Sequence, residues 1–323
     1  MIHLFRLNLI PPNMVRRFLW LCAAGLVCAA CSSVPDAHPE EVFEKRNQAA
    51  RNLESGNRYF REARYNEALE FYRLSLDAYT ALDETGGRIR ALNSIGKVFF
   101  LAGEDDKALD YYNRALALSR GYDDPVSLLQ SANNIGEFEL RRGNSGRALT
   151  IYREALEDER VSDSMLVELA ILYHNMGAFL RDTGEYEEAL GCVRKAADMN
   201  RAEKRFTELA ANYYLFSSIY FRQNLLDQAR ENAFAALDYD RRMENSLGIA
   251  QDLLALGSIA QKAGDTGEAH NSYKRAFLAY RANGYVRGMR TSLEKLIDTS
   301  TRLNLEEEEK QYREAYGQLQ PKT

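Results

Sequence analysis

Proline is scarce in this sequence of 323 residues. Six prolines occur, at positions 11, 12, 35, 39, 125 and 321, so Pro125 is the only one between residues 40 and 320. Proline lacks the amide hydrogen that a helix needs, and its ring collides with the preceding turn. Because this long stretch is also rich in alanine, leucine, glutamate and arginine, the sequence predicts a nearly all-α chain.

An excess of positive charge is also missing. The chain has 42 Lys+Arg against 47 Asp+Glu, a formal net charge of -5. Proteins that bind nucleic acids do so largely by neutralising phosphates with basic side chains, so no nucleic-acid partner is expected. The hydrophobic content of 46% and the charged content of 28% are those of an ordinary folded, soluble chain.

Residues that carry chemistry are few and scattered. The four histidines, His3, His38, His174 and His270, do not have the spacing of a metal site. The sequence also has no glycine-rich phosphate loop, nucleophile elbow or redox cysteine pair. Cys192 falls inside a predicted helix next to a core position, which favours a buried, inert thiol. We therefore expect no enzyme activity, cofactor, metal site or small-molecule substrate.

The first thirty residues have the pattern of a signal peptide. Arg16 and Arg17 precede thirteen uncharged, mostly apolar residues, 18–30. This run is short for a bilayer span of about 20 residues and is typical of a secretory signal. A chain that starts at Met14 would still have a complete signal, so both Met1 and Met14 are possible starts.

The end of that run, residues 28–32, reads Cys-Ala-Ala-Cys-Ser and resembles the lipobox of bacterial lipoproteins, although the first position is usually Leu. The resemblance implies that residues 1–30 are removed and that Cys31 is lipidated, with residues 31–40 as a membrane tether. Ser32 resembles the sorting rule for the outer membrane. We therefore expect an outer-membrane lipoprotein facing the periplasm, with an inner-membrane anchor as the alternative. An ordinary secretory signal and an uncleaved anchor are the other interpretations.

A period of about forty residues runs through the rest of the chain. Small residues recur at Gly56, Gly96, Gly136, Gly177, Ser217 and Gly257, with spacings of 40 or 41. An alanine stands twelve residues after each of them, and a tyrosine stands sixteen residues after four of them. The residue seven positions after each, usually glycine, is suited to end a helix in the left-handed conformation. This pattern resembles the tetratricopeptide repeat (TPR) family.

The resemblance implies an all-α fold, a right-handed TPR superhelix (an α-solenoid) in which each repeat is a pair of helices, A and B. Six repeats are predicted over residues 41–285. Residues 286–323, where Ile297 replaces the small residue, are predicted to form a degenerate seventh repeat that caps the array. An acidic ligand-binding tail is the alternative for this segment. The residues expected to cap B helices are Asp105, Ser145 and Asp265.

The same resemblance places the A helices on a concave face that binds ligands. The candidate peptide-binding residues on this inner wall are Asn93, Lys97, Asn133, Asn134, Arg141, His174, Asn175, Arg181 and Tyr214. Asparagine amides both donate and accept hydrogen bonds, so they can clamp the backbone of an extended peptide. The alternative is that these are only solvated polar residues.

The charge of the inner wall points to the kind of partner. Its positions carry seven basic and three acidic residues, which favours acidic or C-terminal peptides. The seven basic residues are Arg61, Arg90, Lys97, Arg141, Arg181, Arg222 and Lys262. We expect a non-catalytic adaptor that binds an extended segment of a protein partner and is held at the cell envelope by its lipid. The alternatives are a structural subunit of an envelope assembly or secretion machine, and a cytoplasmic regulator of the Rap type whose N terminus has been misread.

Overall fold

The computed structural model describes residues 39–162 and 164–319. Within these ranges the chain forms fourteen α-helices and no strand. None of these helices is long and apolar enough to cross a bilayer. The predicted signal peptide, with its lipidation site Cys31, lies outside the described residues.

The fourteen helices form seven antiparallel pairs, each consisting of an A helix followed by a B helix. The A helices are α1 (Pro39–Arg61), α3 (Thr85–Leu101), α5 (Pro125–Arg141), α7 (Leu166–Thr183), α9 (Phe206–Arg222), α11 (Ser246–Lys262) and α13 (Val286–Arg302). The B helices are α2 (Tyr65–Ala81), α4 (Asp105–Gly121), α6 (Ser145–Leu156), α8 (Tyr186–Ala202), α10 (Leu226–Arg242), α12 (Thr266–Ala282) and α14 (Glu306–Gln318). Most helices pack mainly against the helices before and after them, while α7 contacts α5 more extensively than it contacts the short α6. The predicted all-α solenoid of six pairs with a further C-terminal pair is confirmed.

The small residues of the repeat lie where the two helices of a pair touch. A Cβ atom added to Gly96 would lie 2.8 Å from the ring of Tyr112, and one added to Gly136 would lie 2.3 Å from the ring of Tyr152. The alanine that follows twelve residues later, such as Ala148, is fully buried. Close packing of this kind leaves no room for a larger side chain at either position.

The turns between A and B helices also follow the repeat. Residues seven positions after the small residue have positive φ angles, including 75° at Gly103 and 63° at Asn224. This left-handed residue ends the A helix as expected. The capping prediction is only partly right. The Asp265 side chain accepts a hydrogen bond from the Glu268 amide at 2.8 Å, whereas Asp105 and Ser145 are the first residues inside their helices rather than caps.

The junction between the third and fourth pairs departs from the regular pattern. Helix α6 has 12 residues, whereas the other B helices before the C-terminal pair have 17. A longer connection follows. In it, the Arg160 guanidinium donates hydrogen bonds to the Asp158 carboxylate at 2.7 Å and to the Arg120 carbonyl at 3.2 Å. The guanidinium thereby occupies the C-terminal end of α4, where a cation suits the helix dipole. The extra residue in the spacing between Gly136 and Gly177 falls in this connection.

The seventh pair covers the apolar side of the sixth. Leu293 and Leu296 of α13 and Tyr312 of α14 join a buried cluster with Phe277 of α12. The Glu308 carboxylate accepts hydrogen bonds from Tyr312, from Lys274 and from the imidazole of His270. These contacts hold the last helix against α12. The C-terminal pair therefore closes the core that the sixth pair would otherwise expose.

Candidate functional site: the concave face

A cavity of about 410 Å³ lies between the first four A helices. Four of the candidate residues, Asn93, Lys97, Asn133 and Asn134, form part of its wall. Its other lining residues include Leu53, Asn57, Phe60, Arg90, Gln130, Glu168 and Ile171. The wall thus combines amides, two cations, one carboxylate and apolar side chains, the mixture found in many ligand sites.

The asparagines of the inner wall bond across neighbouring A helices. The Asn93 amide donates to Ser131 Oγ at 3.0 Å, and the Asn175 amide donates to Asn133 Oδ1 at 3.4 Å. Asn93 and Asn133 are each only 8% exposed. Part of the amide capacity predicted for a ligand is therefore used inside the protein, and Asn134 and Asn175 are the more accessible members of the set.

His174 belongs to a similar contact between the fourth and fifth pairs. The Asn212 amide donates to His174 Nδ1 at 2.9 Å, and Asn212 Oδ1 accepts from the Asn200 amide at 2.8 Å. Burial, followed by the charge of Arg181, lowers the pKa of His174 to about 4. The ring is therefore neutral near pH 7 with its proton on Nε2, because Nδ1 accepts a hydrogen bond. His174 lines a second cavity, of about 190 Å³, together with Ile171.

The basic residues of the inner wall differ in how far their charge is compensated. Arg141 pairs with Glu137 at 3.0 Å. Arg181 and Arg222 share Asp182, at 2.9 and 3.3 Å. Arg141 is thereby compensated, whereas the two guanidinium groups of Arg181 and Arg222 share one carboxylate and keep one net positive charge between them.

Arg90 and Lys97 lack such partners. Among the described residues, neither lies within ion-pair distance of a carboxylate, although Glu168 lines the same cavity. Lys97 Nζ instead lies 5.6 Å from the centre of the Phe60 ring. Arg90 and Lys97 are therefore the two unpaired cations in the wall of the cavity. Arg61 on α1 and Lys262 on α11 also lack an ion pair among the described residues, but they lie elsewhere on the concave face.

Tyr214 lies apart from the main cavity. It lines a third cavity, of about 180 Å³, with Ser217, Ser218 and Phe221 of the same helix. Arg181 reaches toward this region, since its Nη1 donates to Ser218 Oγ at 3.3 Å. The nine candidate residues thus lie along one face, but the structure places them in several separate sites rather than one.

A buried acid pair adjoins this C-terminal part of the face and was not predicted. Asp240 of α10 and Asp252 of α11 are both buried, and the Asn245 amide donates to Asp240 at 2.9 Å. Burial, and to a smaller extent the negative charge of Asp240, raises the pKa of Asp252 to about 8. The pair occupies the same place in the repeat as Asn200 and Asn212, twelve residues apart in both cases.

The described residues contain no group of three or more His, Cys, Asp or Glu side chains placed to hold a metal ion. Burial raises the pKa of the Cys192 thiol to about 11, so this residue stays protonated and poorly nucleophilic at neutral pH. The arrangement of the concave face can therefore bind through hydrogen bonds, charge and apolar contact.

Comparisons with known proteins agree with this architecture. Residues 48–121 and residues 169–203 match family models described as tetratricopeptide repeat. No curated protein matches the chain in sequence.

Solved structures of similar fold come from several kinds of protein. The apo form of the quorum sensor NprR from B. thuringiensis is 16% identical with a TM-score of 0.68, covering 97% of this chain and 89% of that one. A Rap protein complexed with Competence and Sporulation Factor is 16% identical with a TM-score of 0.59, covering 84% and 74%. PilW, a widely conserved type IV pilus biogenesis factor, is 18% identical with a TM-score of 0.56, covering 76% and 98%. At these identities the likeness shows the fold alone.

Proposed function

Because the chain belongs to the tetratricopeptide repeat family, we propose that it is a non-catalytic adaptor that binds an extended peptide segment of a protein partner on its concave face. The observation that carries this proposal is the 410 Å³ cavity of the first four repeats, where exposed amide groups stand next to two uncompensated cations. The cavities lined by His174 and by Tyr214 contain no cation in their walls.

The amides of the cavity suit a peptide in an extended conformation. An extended backbone presents an N–H and a C=O at each residue and can satisfy them only with groups that both donate and accept. Asn134 lines the cavity and is partly exposed, and the exposed Asn57 and Gln130 line it as well, so these three amides are able to supply such groups. Asn93, Asn133 and Asn175 instead bond between neighbouring helices. The first three are thus the ligand contacts, and the bonded asparagines fix the spacing of the wall.

The charge of the cavity favours a carboxylate. Arg90 and Lys97 lie seven residues apart on α3, which puts them on the same face of the helix. Their charge has no partner among the described acids, whereas Arg141, Arg181 and Arg222 are paired. An acidic side chain or the C-terminal carboxylate of the ligand is therefore placed at the second repeat, with Leu53, Phe60 and Ile171 available to an adjacent apolar residue.

We further propose that the adaptor is a lipoprotein of the bacterial envelope, attached through Cys31 and facing the periplasm from the outer membrane. This part depends on the lipobox resemblance of residues 28–32 and the signal pattern before it. Residues 31–40 would then tether the first repeat to the membrane, with the concave face free for a partner.

A pull-down from crosslinked envelope extracts tests the adaptor proposal. The full chain with Arg90→Glu and Lys97→Glu should lose the partners that the parent retains, whereas Arg73→Glu with Arg194→Glu makes the same charge change on exposed positions of α2 and α8 and should not. Equal loss with both double variants would indicate a nonspecific charge effect. Unchanged capture with the α3 variant would remove the cavity from the function and favour a structural subunit held through its B helices.

A further inference from the structure

The turns that lead from each B helix to the next A helix lie together along one edge of the solenoid, here called the B–A edge. It consists of residues 80–86, 120–126, 157–162, 164–167, 201–207, 241–247 and 281–287. Contacts between successive turns confirm that they are neighbours. Arg160 donates to the Arg120 carbonyl at 3.2 Å, and Ser246 Oγ donates to Asn283 Oδ1 at 2.6 Å.

Charge is segregated along this edge. The described residues of the first three turns, the acidic half, include seven acidic and two basic ones, a net charge of -5. The last three turns, the basic half, contain seven basic and two acidic residues, a net charge of +5. The opposite edge shows no such order, since residues 101–107 and 182–188 are acidic while residues 141–147 between them carry three arginines and no acid.

Helix dipoles explain the sign of each residue but not this order. Arginine in the last turn of a B helix and an acid before an A helix are both favourable. Each B–A turn contains both kinds of position, so dipoles alone predict mixed turns along the whole edge. The acids dominate in the first half and the bases in the second, which requires another reason.

The charges that set this pattern are exposed. Asp83, Asp123, Glu157 and Glu159 are exposed in the acidic half, and Lys204, Arg241, Arg281 and Arg287 in the basic half. Among the described residues, none of these four cations lies within ion-pair distance of a carboxylate, whereas Arg201, Arg205 and Arg242 of the basic half each pair with an acid. In the acidic half, Asp83 lies 3.8 Å from Arg88. The basic half also exposes large apolar side chains, namely Phe206, Met243, Leu247, Tyr285 and Val286. Single exposed apolar residues are common, but five on three successive turns form a patch suited to contact.

We infer that the B–A edge binds the B–A edge of a second copy of this chain in an antiparallel, two-fold arrangement. A two-fold axis near the fourth pair brings the acidic half of each copy against the basic half of the other, so both halves are satisfied at once. A membrane of anionic lipids or an acidic protein would match only the basic half and would be repelled by the acidic half. A second copy accounts for both halves with the surface already described.

Charge reversal with two differently tagged full-length copies tests the inference. The basic-edge variant carries Lys204→Glu, Arg241→Glu, Arg281→Glu and Arg287→Glu, and the acidic-edge variant carries Asp83→Lys, Asp123→Lys, Glu157→Lys and Glu159→Lys. Parent should capture parent at about 0.02 M salt and lose most capture at about 0.5 M. Each variant should capture itself about tenfold less than the parent does, because like charges then face each other.

Mixing the two variants gives the decisive result. One copy is then acidic and the other basic along the whole edge, so capture should return to the parent level. Self-capture should also persist in the double variant Arg90→Glu and Lys97→Glu, which changes charge on the concave face only. The inference is overturned if the parent shows no self-capture at low salt, if mixing fails to restore capture, or if the basic half instead binds anionic phospholipid vesicles while the parent remains a single chain. Partner binding by the cavity is measured separately, so either proposal can fail alone.

Discussion

Replacing Asp252 by Asn should stabilise the fifth and sixth helix pairs, and the effect should grow with pH. Asp252 is 1% exposed, faces Asp240 across the junction of α10 and α11, and has an Oδ2 atom without a hydrogen-bond partner among the described residues. The junction before it has Asn200 and Asn212 at the same positions, bonded at 2.8 Å. The substitution therefore introduces an amide where the neighbouring repeat already has one.

The magnitude follows from the difference in proton binding between the folded and unfolded chain. Burial and Asp240 raise the pKa of Asp252 to about 8, while the ordinary value is 3.8. Between these values the folded chain holds a proton that the unfolded chain has released, so stability falls as pH rises from about 4 to about 8. The slope is about 1.4 kcal/mol per pH unit, so the upper bound at pH 8 is about 5 kcal/mol. Because the amide is also desolvated, we expect a gain of about 2–4 kcal/mol at pH 8 and below about 1 kcal/mol at pH 4.

Urea unfolding followed by circular dichroism at several pH values would measure this effect. Because solenoids unfold in steps, hydrogen exchange in α10 and α11 should be measured alongside urea unfolding, to show that the added stability lies in these two helices. Asp77→Asn, at an exposed position in the middle of α2, is the matched control and should show no such pH dependence. Equal pH profiles for the Asp252 and Asp77 variants would refute the buried acid pair.

Three further predictions concern other parts of the chain. Ala148→Leu should destabilise the third pair by about 1–3 kcal/mol, seen as a lower first unfolding midpoint, because this fully buried site has no spare volume. Arg160→Ala should speed hydrogen exchange at the end of α4, whose Arg120 carbonyl would lose its guanidinium donor, while exchange in α12 stays unchanged. Cys31→Ser should abolish labelling by a clickable palmitate analogue and release the protein from membranes; continued labelling would exclude lipidation at this residue.

The repeat could be predicted from the sequence because its rules are local. A small residue every forty positions, a left-handed residue seven later and an alanine twelve later each depend on one helix pair, as Gly136 and Ala148 illustrate. The fold followed from repeating that unit. The irregular end of α6 was visible only as a spacing of 41 between Gly136 and Gly177.

The properties of the concave face depend on contacts between repeats, which the pattern does not specify. The sequence placed Arg181 on this face, but it did not indicate that Arg181 shares a single carboxylate, Asp182, with Arg222. It likewise placed His174 there without revealing the hydrogen bond from Asn212 that fixes its tautomer. Contacts between side chains about forty residues apart in sequence can be predicted only once the packing of the helices is known.

Photo-crosslinking from the concave face tests the central claim most directly. A photoreactive phenylalanine in place of Ser94, which lines the 410 Å³ cavity, should form a discrete crosslinked species with a partner in intact cells. The same group in place of Leu74, exposed on α2, serves as the control for contact through a B helix. We predict a crosslink from position 94 that disappears with Arg90→Glu and Lys97→Glu, and none from position 74. A crosslink from position 74 alone would contradict peptide binding by the concave face.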